Sequence, residues 1–130
     1  MLNRQEIHEE RLRKNMRYRR RCEGYSRGQR RCHCCGVQMN WSVDSDRSAS
    51  VEHMVPKTHG GTLAYANCLI ICRKCNNGRN SQDWIEFVVE NQFPKKEWLI
   101  AKYIEAVEYY YKAGRKLNKG LKRNYEKHMA

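Results

Sequence analysis

Cys32-His33-Cys34-Cys35-Gly36, then Glu52-His53-Met54-Val55-Pro56, then Cys72-Arg73-Lys74-Cys75-Asn76-Asn77-Gly78-Arg79: the fold turns on the reading of these three segments. The pairs Cys32/Cys35 and Cys72/Cys75 each leave two residues between their thiols. That spacing lets one tight turn present two sulfurs to one ion, and two such turns supply the four thiolates of a tetrahedral zinc site. Gly36 allows the turn that points backbone amides at the thiolates. A closed four-cysteine site has no position for water, so this zinc is read as structural rather than catalytic. Cys34 lies between two ligands and competes with Cys32 and Cys35, but only the latter two repeat the spacing of the second pair.

The loop between the pairs is 36 residues long, beyond the ~15 to 20 of a simple zinc ribbon. It therefore needs structure of its own. Met39-Asn40-Trp41 is expected to close the first knuckle, and Asp44-Ser45-Asp46 has turn chemistry. Ser48 to Val55 reads as a strand stopped by Pro56, Gly60-Gly61 turns the chain back, and Asn67 to Cys72 reads as the buried return strand. Cys68 is then a small core residue. The zinc would hold the two ends of this hairpin together. After Cys75 the chain turns helical, with Gly78 an early interruption, and Ser81 is read as the cap of a helix through Trp84, Ile85, Val88 and Val89. Asn91 and Pro94 end it. A last helix is expected from about Lys95 to Leu117, with an apolar stripe of Leu99, Tyr103, Ala106, Val107, Tyr110 and Leu117. That stripe is either core or a contact between two copies of the chain, a homodimer through the C-terminal helix.

With 130 residues the chain has room for one domain. It is 40% hydrophobic and 31% charged, so its core is small and a metal is a natural staple. The net charge of +12 points to a polyanionic partner. Residues 1–31 hold eleven Lys/Arg against four acidic residues, a net of +7. Helix is plausible there from about Gln5 to Arg20, with Arg17, Arg19, Arg20, Arg21, Arg30 and Arg31 as phosphate contacts of a basic arm. Lys57 and His59 are further candidates for contacting DNA, and His33 is read as a solvent or phosphate contact. Cys22 reads as a free thiol. No apolar run reaches the ~18 to 20 residues of a membrane span. The N-terminus leads into charge rather than a signal core, so a cytoplasmic setting is expected, in a bacterium or a phage-infected host.

Between the knuckles sit residues suited to phosphodiester hydrolysis. That reaction needs a nucleophilic water, a base for its proton and a cation against developing charge. His53 is the candidate base. Glu52 and Asn76 offer oxygen ligands of the kind that a hard divalent ion such as magnesium prefers. Arg79, one helical turn beyond Asn76, is placed to sit on the phosphate. Neighbours on a strand point to opposite faces, so Glu52 and His53 can share a site only where the strand bulges or ends.

The segments Glu52-His53-Met54-Val55-Pro56, Gly60-Gly61, Asn67 and Cys72 to Arg79 together resemble the HNH endonuclease family in its zinc-knuckle form. The resemblance spans about residues 32–80 and leaves both flanks outside it. It implies an α+β fold: a ββα-metal core with a four-cysteine structural zinc site, flanked by N- and C-terminal helices. It implies His53 as general base and Asn67 as a residue that braces the loop by hydrogen bonds. It implies Asn76, at a position often His, as ligand of a catalytic metal, and Glu52, at a position more often Asp, as another. Asn in place of His at 76 favours Mg2+ or Mn2+ over zinc in that second site. The organisation expected is a basic arm over 1–31, a nuclease core over 32–80 and a helical extension over 81–130. The activity expected is metal-dependent cleavage of double-stranded DNA. Two other readings stand beside it. One is a relative of the phage recombination endonucleases that resolve branched DNA, whose Asp-His-Asp-His cluster is lacking here. The other is a zinc-ribbon DNA-binding module without catalysis, which gives no reason for Glu52, His53 and Asn76.

Overall fold

The computed structural model describes residues 1–10, 31–40, 42–62, 64–80, 82–113 and 126. Its centre is an antiparallel hairpin of β1 (Ala49–His53) and β2 (Cys68–Cys72), paired from Ala49 opposite Cys72 to His53 opposite Cys68. β2, Cys-Leu-Ile-Ile-Cys, is buried along its whole length. β1 is buried at Ala49 and Glu52 and half-buried between them. Both strands stop short of the expected bounds, because the chain leaves sheet geometry before Pro56 and Tyr65–Asn67 forms a 3-10 turn.

The connection between the strands is held by side chains rather than by a tight turn. Asn67 is wholly buried; its Oδ1 accepts from the Val55 amide at 2.8 Å, and its Nδ2 donates to Val55 O and Thr62 O, each at 3.0 Å. A side chain at Gly61 would place its Cβ 1.7 Å from Val55 O, so only glycine lets the two backbones meet there.

Helix α1 (Arg73–Arg79) follows β2 directly, and the Cys72 sulfur caps it by accepting from the Cys75 amide. The helix starts before Cys75 and runs through Gly78, contrary to the early interruption expected there. It ends at Asn80, which takes the left-handed conformation (φ 42°) that Asn tolerates. α2 (Trp84–Glu90) is capped by Asp83, whose carboxylate accepts from the Glu86 amide; Asp83, not Ser81, is therefore the cap. α3 (Lys96–Lys112) buries Leu99, Tyr103, Ala106, Val107 and Tyr110. Of its expected stripe, Leu117 lies outside the described residues. The other five side chains face the chain's own core, so this stripe is not a surface for a second copy. Trp84, fully buried, donates its indole N–H to Leu99 O at 3.0 Å and locks α2 to α3. Tyr110 reaches back from α3 to accept from the Thr62 amide at 2.8 Å, tying the last helix to the hairpin connection. Burying one such large side chain contributes roughly 1.5 to 3 kcal/mol, so this helical layer supplies much of a core that the two strands could not make alone.

At the N-terminus, residues 4–10 are helical. Asn3 and Glu6 cap one another: the Glu6 amide donates to Asn3 Oδ1 at 2.8 Å and Asn3 Nδ2 donates to Glu6 at 2.6 Å. This turn is docked on the core. The His8 ring meets the Ser48 hydroxyl at 2.7 Å, and Gln5 Oε1 accepts from the Val43 amide at 2.8 Å. The start of the arm is thus part of the packed unit. Arg17, Arg19, Arg20, Arg21, Arg30, Cys22 and Trp41 lie outside the described residues.

Candidate active site and metal centre

Four sulfurs converge where the hairpin ends meet the first knuckle. The ligand atoms of Cys32, Cys35, Cys72 and Cys75 all lie within 4.8 Å of one another, and Cys35 and Cys72 are 3.7 Å apart. Tetrahedral Zn–S bonds of about 2.3 Å separate sulfurs by roughly 3.8 Å, so the cluster fits zinc. In each knuckle a backbone amide points at the first sulfur. The Cys34 amide donates to Cys32 Sγ at 3.3 Å, and the Cys75 amide donates to Cys72 Sγ at 3.5 Å. Gly36, at φ 79°, closes the first turn by donating its amide to Cys32 O. Four thiols this close cannot ionise together on their own. Cys32 is held low by hydrogen bonds from Cys34 and Cys75, whereas burial pushes Cys72 up to about 11 and the hydrogen bond to Cys32 pushes Cys75 up. A divalent cation relieves that conflict, because it binds the ionised form of all four.

Cys34 is outside this cluster. Its side chain is buried and its thiol is pushed up, chiefly by its hydrogen bond to Cys32. Cys68 is buried in β2, as a core residue should be. His33 is no phosphate contact: it is 6% exposed and stacks on Trp98 at 5.2 Å, and burial holds its imidazole below the usual range. It fastens the first knuckle to α3.

The second site lies at the opposite end of α1. Glu52, His53, Pro56, Lys57, Asn76, Asn77, Arg79 and Asn80 line one polar cavity of about 340 Å³. Glu52 and His53 both reach it with no bulge, since pairing stays regular through His53 and the strand ends there. Asn76 is oriented by β1: its Nδ2 donates to the Ser50 hydroxyl at 3.0 Å and to Val51 O at 3.5 Å, and its Oδ1 makes no hydrogen bond among the described residues. Ser50 was not foreseen, although it shares a strand face with Glu52 two residues on and period-two spacing pointed to it. Asn77 and Asn80 were also missed. Both sit in a run of asparagines after Cys75 whose facing depends on where α1 ends.

Glu52 is 8% exposed. Its Oε1 takes a hydrogen bond from Arg79 at 3.2 Å, while its buried Oε2 has no partner among the described residues. Burial pushes this carboxyl above its usual range, and the Arg79 charge opposes that shift. A carboxylate and a side-chain amide that line one cavity supply hard oxygen donors of the kind that Mg2+ or Mn2+ takes.

Arg79 is not where a phosphate contact would be. It is 3% exposed, and all three guanidinium nitrogens are engaged by the protein: Nε by Gln82 O, Nη1 by Glu52 and His53 O, Nη2 by Met54 O. Its phosphate role is therefore corrected; the fork that would grip a phosphate is already filled. Lys57 is exposed on the cavity wall. His59 is half-buried on the 3-10 turn Lys57–His59, does not line the cavity, and has its Nδ1 buried. Arg31 is exposed at the first knuckle, where its side chain donates to Gly36 O at 3.1 Å.

Comparison with protein-family models gives a match described as HNH endonuclease over residues 32–82. Searches of curated proteins and of solved structures returned no match. The matched segment begins at the first zinc-knuckle cysteine, contains both sites, and ends just beyond α1. Residues 32–82 thus match the HNH endonuclease model, and they form an α+β unit in which a four-cysteine cluster and a ββα core are built on the same hairpin.

Proposed function

We propose that this chain is a metal-dependent DNA endonuclease that hydrolyses phosphodiester bonds, with His53 as general base. One observation carries the reading: Glu52, His53 and Asn76 line a single polar cavity, and Glu52 Oε2 is buried there without a partner among the described residues. A zinc-ribbon binding module has no use for that convergence. Glu52 and Asn76 would hold Mg2+ or Mn2+, which when bound offsets negative charge on the phosphate and the leaving oxygen. His53 takes the proton from the attacking water. Lys57, on the cavity wall, holds the backbone phosphate alongside. Zinc on Cys32, Cys35, Cys72 and Cys75 keeps the hairpin ends and α1 together and takes no part in the chemistry. The net charge of +12 supplies salt-dependent affinity for DNA of any sequence.

A plasmid-nicking assay tests this. Supercoiled DNA should be converted to nicked or linear form with Mg2+ or Mn2+ and left intact with chelator, and His53→Ala should lose the conversion while still binding DNA. A wild-type protein with full zinc content that binds DNA and never cuts it, under either metal, would leave the binding-module reading in its place.

A further inference from the structure

The active-site groups ride on two separate elements. Glu52 and His53 stand at the end of β1, and Asn76 stands on α1. For all three to serve one ion and one water, the distance between strand end and helix must be held to a fraction of an ångström. The cysteine cluster cannot do that alone, because Cys72 lies opposite Ala49 at the start of β1, whereas Glu52 and His53 stand at its other end.

Asn76 itself reaches the middle of β1 at Ser50, and a second side chain ties the helix to the strand end. Arg79, in the last turn of α1, donates to His53 O and Met54 O at 2.6 Å each, and to Glu52 Oε1 at 3.2 Å. Its Nε donates to Gln82 O at 2.9 Å, just past the helix end. The guanidinium also sits 5.2 Å from the centre of the Trp84 ring. A planar fork is thereby fixed from both sides: the strand end accepts from one edge, the chain after α1 accepts from the other, and an indole covers its face. Lysine cannot replace this geometry, since an ammonium is a point charge without a planar set of five donors.

We infer that Arg79 is the positioning residue of the active site, joining the Asn76 helix to the Glu52–His53 strand end and fixing the Glu52 carboxylate by its hold on Oε1. It touches neither metal nor phosphate and acts through Glu52 and the strand backbone. The inference rests on the nuclease reading for what the site does, but its contacts are independent of that reading.

A double-mutant cycle with two readouts tests it. Wild type, Arg79→Lys, Glu52→Gln and the double variant are compared for Mn2+ affinity, and for kcat and KM in plasmid nicking, each protein first checked for full zinc content. Arg79→Lys should weaken Mn2+ binding and lower kcat by about 10- to 100-fold, as loss of an outer partner of a ligand does, with KM for DNA little changed. In the Glu52→Gln background the same change should cost little more, because the group it positions is already lost. Penalties that multiply, or a rise in KM with kcat intact, would mean that Arg79 works on the phosphate directly and would overturn the inference. Wild-type Mn2+ affinity and wild-type kcat in Arg79→Lys would overturn it too. Trp84→Phe loosens the guanidinium's seat without removing any of its hydrogen bonds. It should repeat the loss of Mn2+ affinity on a smaller scale, and it stands in where Arg79→Lys sheds its zinc; Mn2+ affinity unchanged in Trp84→Phe then counts against the inference. If wild type binds Mn2+ in an Arg79-dependent way yet never nicks DNA, the nuclease reading fails and the positioning role stands.

Discussion

The two ends of α1 serve two sites of opposite character. Its first turn presents Cys75, and with it Cys72, to a cluster of soft sulfurs that is closed on itself. Beyond that turn Asn76 and Arg79 face a polar cavity walled by oxygen and nitrogen donors. At the cysteine end, two backbone amides already point at sulfur and four thiols face one another. At the cavity end a buried carboxylate oxygen has no partner among the described residues. On the proposed reading, the same hairpin serves stability at one end and chemistry at the other. If that division is real, variants at the two ends must fail in different ways.

The largest effect should come from the sulfur end. A structural zinc site is worth about 10 to 16 kcal/mol in small zinc-finger peptides, comparable with the whole ~5 to 15 kcal/mol of a typical domain's stability. Cys72 both ligates and caps α1, so Cys72→Ser weakens metal and helix together. The variant should lose its zinc and its cooperative melt, as should wild type treated with a strong chelator. Zinc content and thermal unfolding followed by circular dichroism check this. A Cys72→Ser protein with bound zinc and an unchanged Tm would remove the distinction between the two ends.

The cavity end should fail in rate rather than in fold. A positioned general base contributes about 100- to 10,000-fold, so His53→Ala should lose that much nicking while keeping its zinc, its Tm and its affinity for DNA. Extra metal should not restore it. In wild type the rate should fall in acid, as a base that takes up a proton can no longer accept one from water. Rescue of His53→Ala by higher metal concentration would show that the imidazole binds the ion instead.

Much of this contrast was readable before any coordinates. The cysteine spacing pointed to four ligands, and they cluster. The strand read over Ser48 to Val55 and the return strand read over Asn67 to Cys72 pointed to a hairpin, which forms between Ala49–His53 and Cys68–Cys72. What stayed hidden depended on tertiary context. Gly78 looks like a helix breaker, yet one glycine costs only about 1 kcal/mol, and α1 is anchored by the cysteine cluster at one end and by Asn80 at the other. His33 looks polar in sequence and is buried because Trp98, far along the chain, stacks on it. Arg79 looks like a phosphate hook because spacing shows which way a side chain leaves the helix. It does not show that four acceptors already wait there.

Asn67 lies between the two kinds of site. It touches neither zinc nor cavity, but it holds the connection that follows the Glu52–His53 strand end. Asn67→Ala leaves the buried Val55 amide without an acceptor, at a cost of about 1 to 3 kcal/mol. At ~4 to 8 °C per kcal/mol for a domain of this kind, a clear drop in Tm should follow. Zinc content should stay full and nicking should fall at all metal concentrations. A defect confined to low metal would instead make Asn67 part of the metal site.

The smallest expected effect separates ligand from base within the cavity itself. Asn76 is oriented by Ser50 through its Nδ2, so only its Oδ1 is free to meet an ion. Asn76→Ala removes one neutral oxygen from a site that retains the Glu52 carboxylate and whatever the phosphate adds. A neutral donor contributes less than a charged one, and Mg2+ keeps several waters in any case. The lost position can therefore be taken by water, and the penalty should be one of affinity rather than of maximal rate. Nicking by Asn76→Ala should shift to higher Mg2+ or Mn2+ concentration and approach the wild-type rate at saturation, with zinc and Tm unchanged. Ser50→Ala, which frees the amide to turn, should move the curve the same way by less. Nicking rate against metal concentration, measured beside His53→Ala, decides it. A maximal rate that stays low in Asn76→Ala while the metal midpoint does not move would take Asn76 out of the metal site and leave Glu52 as the sole protein ligand proposed there.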